Sequence, residues 1–395
     1  MHDPISLPLQ EERASFTGDD AEFRRLVTKG ALLELVTAGF YRFWLATRIR
    51  RYLWGGTLLG GDPLEYLGTG RELLYGFLFA LAILAPIYLA YLLIGLAAES
   101  YKAFASLPLA LFFIAFGQFA LYRARRYRLH RTAWRGLRFG MGGSGWAYSW
   151  RAMLWGAAII GSLGLALPWA EAALERYKMR NTYYGELEGS FVGRGSDLFK
   201  RGWWIWLAAL LAIPLLVAAA PRGPKPNPAQ GGVFFFAMLA VVIAAVFLYG
   251  AYKVVLWRWW LEGLRIGDIR ATSDLRTWAY IGNSWKFIGC TALTFLVVGV
   301  SLLSYLMMRF AGVPFDQAHG AQSPAILVLV GGAYLVSLLA LGALYRIYFI
   351  QRVWKLVVRS LTLHGLEAAR DVRAREGTAD ALGEGLIDSL DVVGF

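Results

Sequence analysis

The chain has 395 residues, of which 57% are hydrophobic, 15% aromatic and only 17% charged, and its formal net charge is +13. A mean hydropathy of +0.47 and long apolar runs exclude an ordinary set of soluble domains and are typical of a multi-pass membrane protein. The single cysteine, Cys290, excludes an internal disulfide.

The excess positive charge lies beside the ends of the apolar runs and does not form a separate basic segment. Lys and Arg in such positions orient a membrane protein and meet anionic headgroups. We therefore expect membrane lipids with anionic headgroups as partners and no nucleic acid, and we leave self-association into a homo-oligomer open. No basic region precedes an apolar core at the start of the chain, so we expect no cleavable signal peptide.

A polar N-terminal segment, residues 1–21, ends in a capping box of Asp19 and Glu22 that predicts the start of a helix. The apolar segment that follows, 22–45, resembles a second one at 147–170, and each is broken near a glycine. Six further runs are long enough to span a membrane. They are residues 73–97, 104–122, 203–220, 233–257, 287–308 and 325–350.

The two broken segments are predicted to enter the membrane and return. If residues 147–170 crossed it, the basic stretches before and after them would face opposite sides, against the positive-inside rule. Irregular backbone at membrane depth requires burial in protein or contact with water. Two full crossings remain the alternative. The heavily basic segments and both termini are then expected in the cytoplasm of a bacterial inner membrane.

Residues 37–73 recur without a gap as residues 162–198, shifted by 125 positions. Residues 136–140 (GLRFG) recur as 263–267 (GLRIG), shifted by 127. This predicts a tandem parallel repeat of about 125 residues, with repeat 1 at 22–146, repeat 2 at 147–276, a partial third repeat with a two-span hairpin at 277–365, and a cytoplasmic amphipathic tail at 366–395. The repeat motif consists of Gly39, Trp44, Gly60, Gly164, Trp169, Gly185, Gly140 and Gly267.

The expected fold class is an all-α polytopic membrane protein with six transmembrane helices and two broken or re-entrant segments. Five short Gly-rich stretches alternate apolar and polar residues and are β-like, as in residues 182–189. Unpaired strands would leave backbone groups exposed at their edges, so we expect these stretches to pair in a small cytoplasmic sheet.

The chain resembles the YjgN-like family of bacterial inner-membrane proteins, a domain of unknown function. The residues that carry the resemblance are Phe16-Thr17-Gly18, Thr37-Ala38-Gly39-Phe40-Tyr41, Trp44-Leu45-Ala46, Arg50-Arg51-Tyr52 and Gly55-Gly56-Thr57, then Leu163-Gly164, Pro168-Trp169-Ala170, Arg176-Tyr177, Asn181-Thr182 and the ending Asp391-Val392-Val393-Gly394-Phe395. Gly56 stands where the family usually has Asn, and the second copy lacks the paired Arg. The resemblance implies an integral membrane protein and brings no known activity.

Glu34 is the sharpest candidate for a ligand-binding group, because an ionisable residue within an apolar segment is costly and indicates function. Lys29 and Arg42 are the expected partners of Glu34. The alternative is that Glu34 and Lys29 lie in the interface and extend to water.

Basic residues with aromatic neighbours form a second candidate set, because Arg suits lipid phosphate and Trp belongs at headgroup level. The set comprises Arg48, Arg50, Arg51, Trp54, Arg131, Trp134, Arg176, Arg180, Arg258 and Arg265. Asp268 completes the candidates, although a carboxylate beside Arg265 and Arg270 is more often a structural ion pair.

Motifs for cofactors and metals are weak. Residues 140–145 fit G-x-G-x-x-G, but no acidic residue follows at the required distance, so a turn is favoured. The four histidines have no neighbours at metal-ligand spacing. We predict no cofactor, no metal and no catalytic residue.

Three functions remain. Binding of anionic lipid or organisation of the membrane accounts for the charge and the aromatic content with the fewest assumptions. A small-molecule transporter or channel with a site at the repeat interface near Glu34 is the alternative. An enzyme acting on lipid would need a catalytic group, and only Glu34, Asp197 and Asp268 are loosely placed for that role.

Overall fold

A computed structural model describes residues 11–97, 102–221, 228–310, 324–370 and 372–373. Most of the predicted amphipathic tail lies outside the described residues, as do residues 98–101, 222–227 and 311–323 at the tips of three predicted hairpins.

Helices make up most of the described chain. In chain order they are α1 (Asp20–Val36), α2 (Arg42–Gly55), α3 (Gly70–Ala97), α4 (Lys102–His130), α5 (Gly145–Gly161), α6 (Leu167–Arg180), α7 (Gly195–Ala219), α8 (Pro228–Gly263), α9 (Thr277–Phe310), α10 (Pro324–Leu344) and α11 (Gln351–Arg359). A π-helical turn, Tyr345–Ile350, joins α10 to α11. A 3₁₀ turn, Leu366–Ala369, follows the last strand.

Eleven short strands form one antiparallel sheet. They are β1 (Glu11–Arg13), β2 (Ser15–Phe16), β3 (Thr57–Leu59), β4 (Asp62–Tyr66), β5 (Thr132–Trp134), β6 (Leu137–Met141), β7 (Thr182–Tyr184), β8 (Leu187–Phe191), β9 (Leu264–Ile266), β10 (Ile269–Ser273) and β11 (Leu361–His364). Their order is β1-β11-β10-β9-β8-β7-β6-β5-β4-β3-β2, so each strand lies beside its neighbour in the chain, apart from the N-terminal pair.

The N-terminal stretch closes this sheet. In β1, Glu12 lies opposite Leu363 of β11, and in β2, Phe16 lies opposite Thr57 of β3. Between the two strands, the Ala14 N–H donates to the carbonyl of Leu361 at 3.0 Å. The two edge strands of the sheet, β1 and β2, are therefore consecutive in the chain. Because each pairs with one end of the row of strands, the sheet forms a nearly closed barrel.

Apolar side chains from nine strands, β3 to β11, meet in a single cluster inside this barrel, centred on Trp134, Tyr184 and Leu363. Leu366 and Ala369 of the 3₁₀ turn and Val372 join the same cluster. Eight strands already give an interior that side chains can fill, so eleven strands leave space. The space is an apolar cavity of about 250 Å³.

The prediction of an all-α fold is therefore wrong. The Gly-rich stretches do pair, but they build an eleven-stranded barrel that holds the base of every helical pair. Strands of two to five residues are too short for an alternating pattern to stand out beside helices of 25 or more.

Four of the hairpins have the same form: a three-residue strand, a two-residue turn and a five-residue strand. The first turn residues, Gly60, Arg135, Gly185 and Gly267, have φ between +48° and +59°. Left-handed backbone at this position is typical of tight hairpin turns and favours glycine. This accounts for three of the repeat glycines.

The two broken segments are short helical hairpins. Asp19 and Ser144 cap the first helices, α1 and α5, by accepting from backbone N–H groups. After α1 the chain reverses through Ala38 and Gly39, whose φ values are +49° and +87°, and Leu163 and Gly164 repeat this turn with +52° and +89°. Both ends of each hairpin adjoin the barrel, so each segment returns to the side from which it left.

Six described helical segments are long and apolar enough to cross a membrane, in agreement with the predicted number. They cover residues 70–93, 107–130, 195–219, 228–263, 277–301 and 330–359. The first helices of the short hairpins, with 17 residues each, rise only about 25 Å, less than a hydrocarbon core of about 30 Å.

The shift of 125 positions relates α1 to α5, α2 to α6, β3 to β7 and β4 to β8 without adjustment. The repeat residues Trp44 and Trp169 share one environment, since a Cβ on Gly70 or Gly195 would lie 3.0 or 2.7 Å from their Cα atoms. The shift of 127 is wrong in the structure, where β5 and β6 correspond to β9 and β10 at 132 positions. Gly140 lies within β6, whereas Gly267 forms a turn, because the intervening helical pairs differ in length.

The barrel predicts unequal effects for two substitutions in tight turns. Gly61→Ala and Gly185→Ala each force alanine into left-handed backbone, at a cost of about 1–2 kcal/mol. A Cβ on Gly61 meets nothing within 4 Å, whereas a Cβ on Gly185 overlaps the carbonyl oxygen of Arg373. We expect Gly185→Ala to lower the thermal unfolding temperature in detergent more than Gly61→Ala. Equal effects would contradict the packing of residues 372–373 against this turn.

Candidate functional site

The base of the helices, where they join the barrel, carries exposed basic and aromatic side chains. We name this surface the junction girdle. Its exposed basic members include Arg24, Arg25, Arg48, Arg51, Arg71, Arg151, Arg176, Arg180, Arg194, Lys200, Arg201, Arg276 and Arg359. Its exposed tryptophans are Trp146, Trp150, Trp203, Trp204 and Trp278, all within the first three turns of α5, α7 and α9.

Four of the predicted lipid-binding residues belong to this girdle, namely Arg48, Arg51, Arg176 and Arg180. Arg48 lies near the end of α2 with its guanidinium 5.6 Å from the centre of the Tyr41 ring. Arg176 and Arg180 lie one turn apart at the end of α6, and both are exposed.

Several predicted basic residues serve the fold. Arg50 is buried and donates to the Tyr66 hydroxyl at 3.1 Å. Arg51 donates to the carbonyl of Gly68 at 2.9 Å, and Arg131 pairs with Glu72 at the same distance. Arg258 donates through Nε to the carbonyl of Leu275 at 2.8 Å. Each ties the end of a helix to the strand, loop or helix beside it.

Arg265 and Asp268 do not form the ion pair expected from their spacing. Arg265 donates to the carbonyl oxygens of Glu262 and Leu264, at 2.8 and 2.7 Å, at the end of α8. Asp268 is exposed in the β9–β10 turn, at the far end of the barrel from the helices.

The two predicted tryptophans lie in the core. Trp54 stacks on Trp354 with ring centroids 4.7 Å apart and donates to the Thr132 hydroxyl at 3.0 Å. Trp134 lines the barrel cavity beneath the guanidinium of Arg135. Neither can meet a headgroup in this arrangement.

Glu34 is buried, and its partner is neither Lys29 nor Arg42. Both of its carboxylate oxygens accept from Arg346, at 3.0 and 3.1 Å, and each side chain is 6% exposed. Lys29 is exposed, and Arg42 lies over the rings of Phe43 and Phe77. Arg346 is the one basic residue within the run 325–350, which is the signal that could have identified it.

A second buried charge cluster was missed by the sequence analysis. Glu175 of α6 accepts from Arg125 of α4 at 3.0 Å and pairs with Lys178 one turn on. Burial alone would raise the pKa of Glu175, but Arg125, Lys178 and a hydrogen bond from Trp260 hold it below its ordinary value. Burial raises the pKa of the nearby Glu171, against the opposing charges of Lys178 and Lys253.

The G-x-G-x-x-G stretch is a turn with a helix cap. Gly143 has φ +75°, and the Ser144 hydroxyl accepts from the Ala147 N–H as the N-cap of α5. Within the described residues, no group of three His, Cys, Asp or Glu side chains is placed to hold a metal ion.

A family model described as a bacterial protein of unknown function (DUF898) matches residues 11–389. The chain belongs to this family. The YjgN-like resemblance noted in the sequence is to the same family. No curated protein and no solved structure matches the chain. Membership of DUF898 and six apolar helices establish a membrane protein without a known activity.

The buried pair predicts how this DUF898 protein responds to its removal. Glu34→Leu leaves Arg346 buried and unpaired, and breaking a buried pair costs about 3–5 kcal/mol. Replacing both members, as Glu34→Leu with Arg346→Met, removes the unpaired charge, so we expect the thermal unfolding temperature to recover in the double variant. A stable Glu34→Leu protein would contradict a structural role for the pair.

The second cluster predicts opposite results for two neighbouring carboxylates. Glu175→Gln should destabilise by about 3 kcal/mol, the lower end for breaking a buried pair, because Arg125 and Lys178 keep some contact with solvent. Glu171→Gln should be neutral or stabilising, since burial already disfavours its charge. Equal losses in the two variants would contradict these assignments.

Acid unfolding provides a second test of Glu175. Because its pKa is lowered by folding, its contribution is fully present above the ordinary value and is lost as the pH falls through the folded value. Thermal unfolding measured from pH 6 downward should show a smaller acid loss in Glu175→Gln than in the unchanged protein.

Proposed function

We propose that this protein resides in the bacterial inner membrane and binds anionic phospholipids along the junction girdle, which holds the barrel against the cytoplasmic membrane surface. The observation that carries the proposal is the exposed belt of basic residues and tryptophans at the base of the helices. Trp prefers headgroup depth, and exposed Arg and Lys attract anionic lipid.

The barrel surface supports this placement. Along β10, the buried Ala271 is flanked by the exposed Arg270 and Thr272, and β6 and β8 expose Arg138 and Glu188. Charged side chains pointing outward are unfavourable in hydrocarbon, so the barrel lies outside the bilayer core. The positive-inside rule supports a cytoplasmic position for the barrel and the girdle, as expected from the sequence for both termini.

The transporter hypothesis is less well supported. It places a site near Glu34 at the repeat interface, and both oxygens of Glu34 are bound by Arg346. A buried bidentate pair between the first and last helical hairpins supports a structural role.

Substitution of three girdle residues tests lipid binding. Arg48→Gln, Arg176→Gln and Arg180→Gln together remove three exposed charges and should weaken binding of phosphatidylglycerol about tenfold or more. Affinity can be measured by native mass spectrometry of the purified protein titrated with phosphatidylglycerol or phosphatidylethanolamine. The affinity for phosphatidylglycerol should fall, whereas the affinity for phosphatidylethanolamine should stay unchanged.

The matched control removes the same charge from the opposite end of the barrel. Arg138, Arg270 and Arg370 are exposed there, near the hairpin turns and the 3₁₀ turn. Their joint replacement by Gln should leave lipid affinity unchanged. If both triple variants lose affinity equally, net charge and not the girdle determines binding, and the proposal is wrong.

A further inference from the structure

An apolar groove lies between α6, α7 and α8. It encloses about 230 Å³, and its lining is almost entirely apolar. The lining follows α7 from Leu198 to Ala209, with Pro168 of α6 on one side and Tyr252 of α8 on the other. No side chain of the described residues occupies this space.

The groove has the length of one membrane leaflet. The step from Leu198 to Ala209 rises about 16 Å along a helix, and half of the hydrocarbon core is about 15 Å. Its lower end lies at the junction girdle, beside the exposed Lys200 and Trp203. Its axis therefore runs from headgroup level toward the bilayer centre.

The short hairpin explains why the groove is open to lipid. The Trp206 indole donates to the carbonyl of Leu163 at 2.8 Å, which fixes the tip of this hairpin at the level of Trp206. Above that level α7 continues to Ala219, while the α5–α6 hairpin does not extend beyond its tip. At this depth the groove faces the hydrocarbon core of the bilayer, where acyl chains are the apolar groups that can enter it.

The lower part of the groove carries an unsatisfied polar group. The Tyr252 hydroxyl is buried and has no hydrogen-bond partner among the described residues. The Tyr252 ring lies opposite Gly202, where a Cβ would be 3.6 Å from it, so this side chain belongs to the portion of the groove near Lys200. A buried hydroxyl without a partner is costly, and an ester carbonyl of a lipid could accept from it.

In the first copy of the repeat an aromatic side chain occupies the corresponding position. There Phe77 occupies the place of Gly202, 125 positions earlier, and its ring packs 5.4 Å from that of Phe43. The Arg42 guanidinium covers the same ring at 4.9 Å. The glycine in α7 therefore distinguishes the two copies and leaves space where the first copy has an aromatic side chain.

We propose that this groove binds one phospholipid of the surrounding bilayer, with an acyl chain along α7 between Leu198 and Ala209. A lipid ester carbonyl accepts from the Tyr252 hydroxyl, and the phosphate lies beside Lys200. This deepens the proposed function by assigning one defined site within a girdle that otherwise binds lipid along its length.

Filling the groove tests the site. Gly202→Phe places in α7 the residue that the first copy carries, and its Cβ makes ordinary contact with Tyr252. The control is Gly282→Phe in α9, where a Cβ meets nothing within 4 Å. Native mass spectrometry of protein released from nanodiscs of phosphatidylglycerol and phosphatidylethanolamine would count the retained lipids. We expect one retained phosphatidylglycerol in the unchanged protein and in Gly282→Phe, and none in Gly202→Phe.

Two further variants keep the test decisive. Ala209→Leu narrows the upper groove and should shorten lipid retention even if Gly202→Phe fails to fold. Tyr252→Phe removes only the hydroxyl and should weaken retention without abolishing it. Equal lipid counts in Gly202→Phe and the unchanged protein would overturn the site, as would loss in Gly282→Phe or a retained free fatty acid.

The outcomes separate this site from the girdle. A retained phosphatidylethanolamine that Gly202→Phe displaces would support the acyl-chain groove and overturn the preference of the girdle for anionic lipid. A preserved preference for phosphatidylglycerol with no retained lipid would support the girdle and overturn the groove.

Discussion

Closure of the sheet is the constraint on which the rest of this structure depends. Strands of two to five residues cannot hold an open sheet, because both edges would expose unpaired backbone groups. The protein removes those edges by pairing β1 with β11 and β2 with β3 from one continuous stretch. Every helical pair begins and ends at this ring, so helices from distant parts of the chain rise from the same side.

The interface at which the chain closes on itself carries the most specific polar contacts. Arg346 binds Glu34, Lys355 and Gln351 bind Asp20, and the Trp354 indole donates to the Thr57 hydroxyl at 2.9 Å. Each contact joins the first helical hairpin or its β-strand to the last. A charge pair has strict geometry, so it favours one mutual position of these elements where apolar packing alone would tolerate several.

The helical pairs that rise from the barrel differ in length, and this difference leaves openings between them that lipid can enter. The short hairpins end about 25 Å or less from the barrel, whereas their neighbours continue. Lipid then contacts the flanks of α7 and α8 above the short pair, and the groove beside Gly202 lies at that boundary. The girdle below supplies charge and tryptophan at the level where the headgroups of the same lipids would lie.

Apolar run length and charge placement, which are local properties, determined the six long helices, the two returning hairpins and the glycines of their turns. The shift of 125 positions likewise aligned Trp44 with Trp169, and the structure places each beside the first glycine of the next long helix. Local sequence patterns could not predict the closure of the barrel or the partner of Glu34. The pairing of β1 with β11 and the contact between Glu34 and Arg346 each join residues more than 300 positions apart. The same limit applied to the arginines: Arg48 and Arg50 are two positions apart in one basic helix, and only tertiary packing decided that Arg48 faces outward and Arg50 inward. Burial depends on what the rest of the chain places beside a residue, and that information is absent from its own neighbourhood in the sequence.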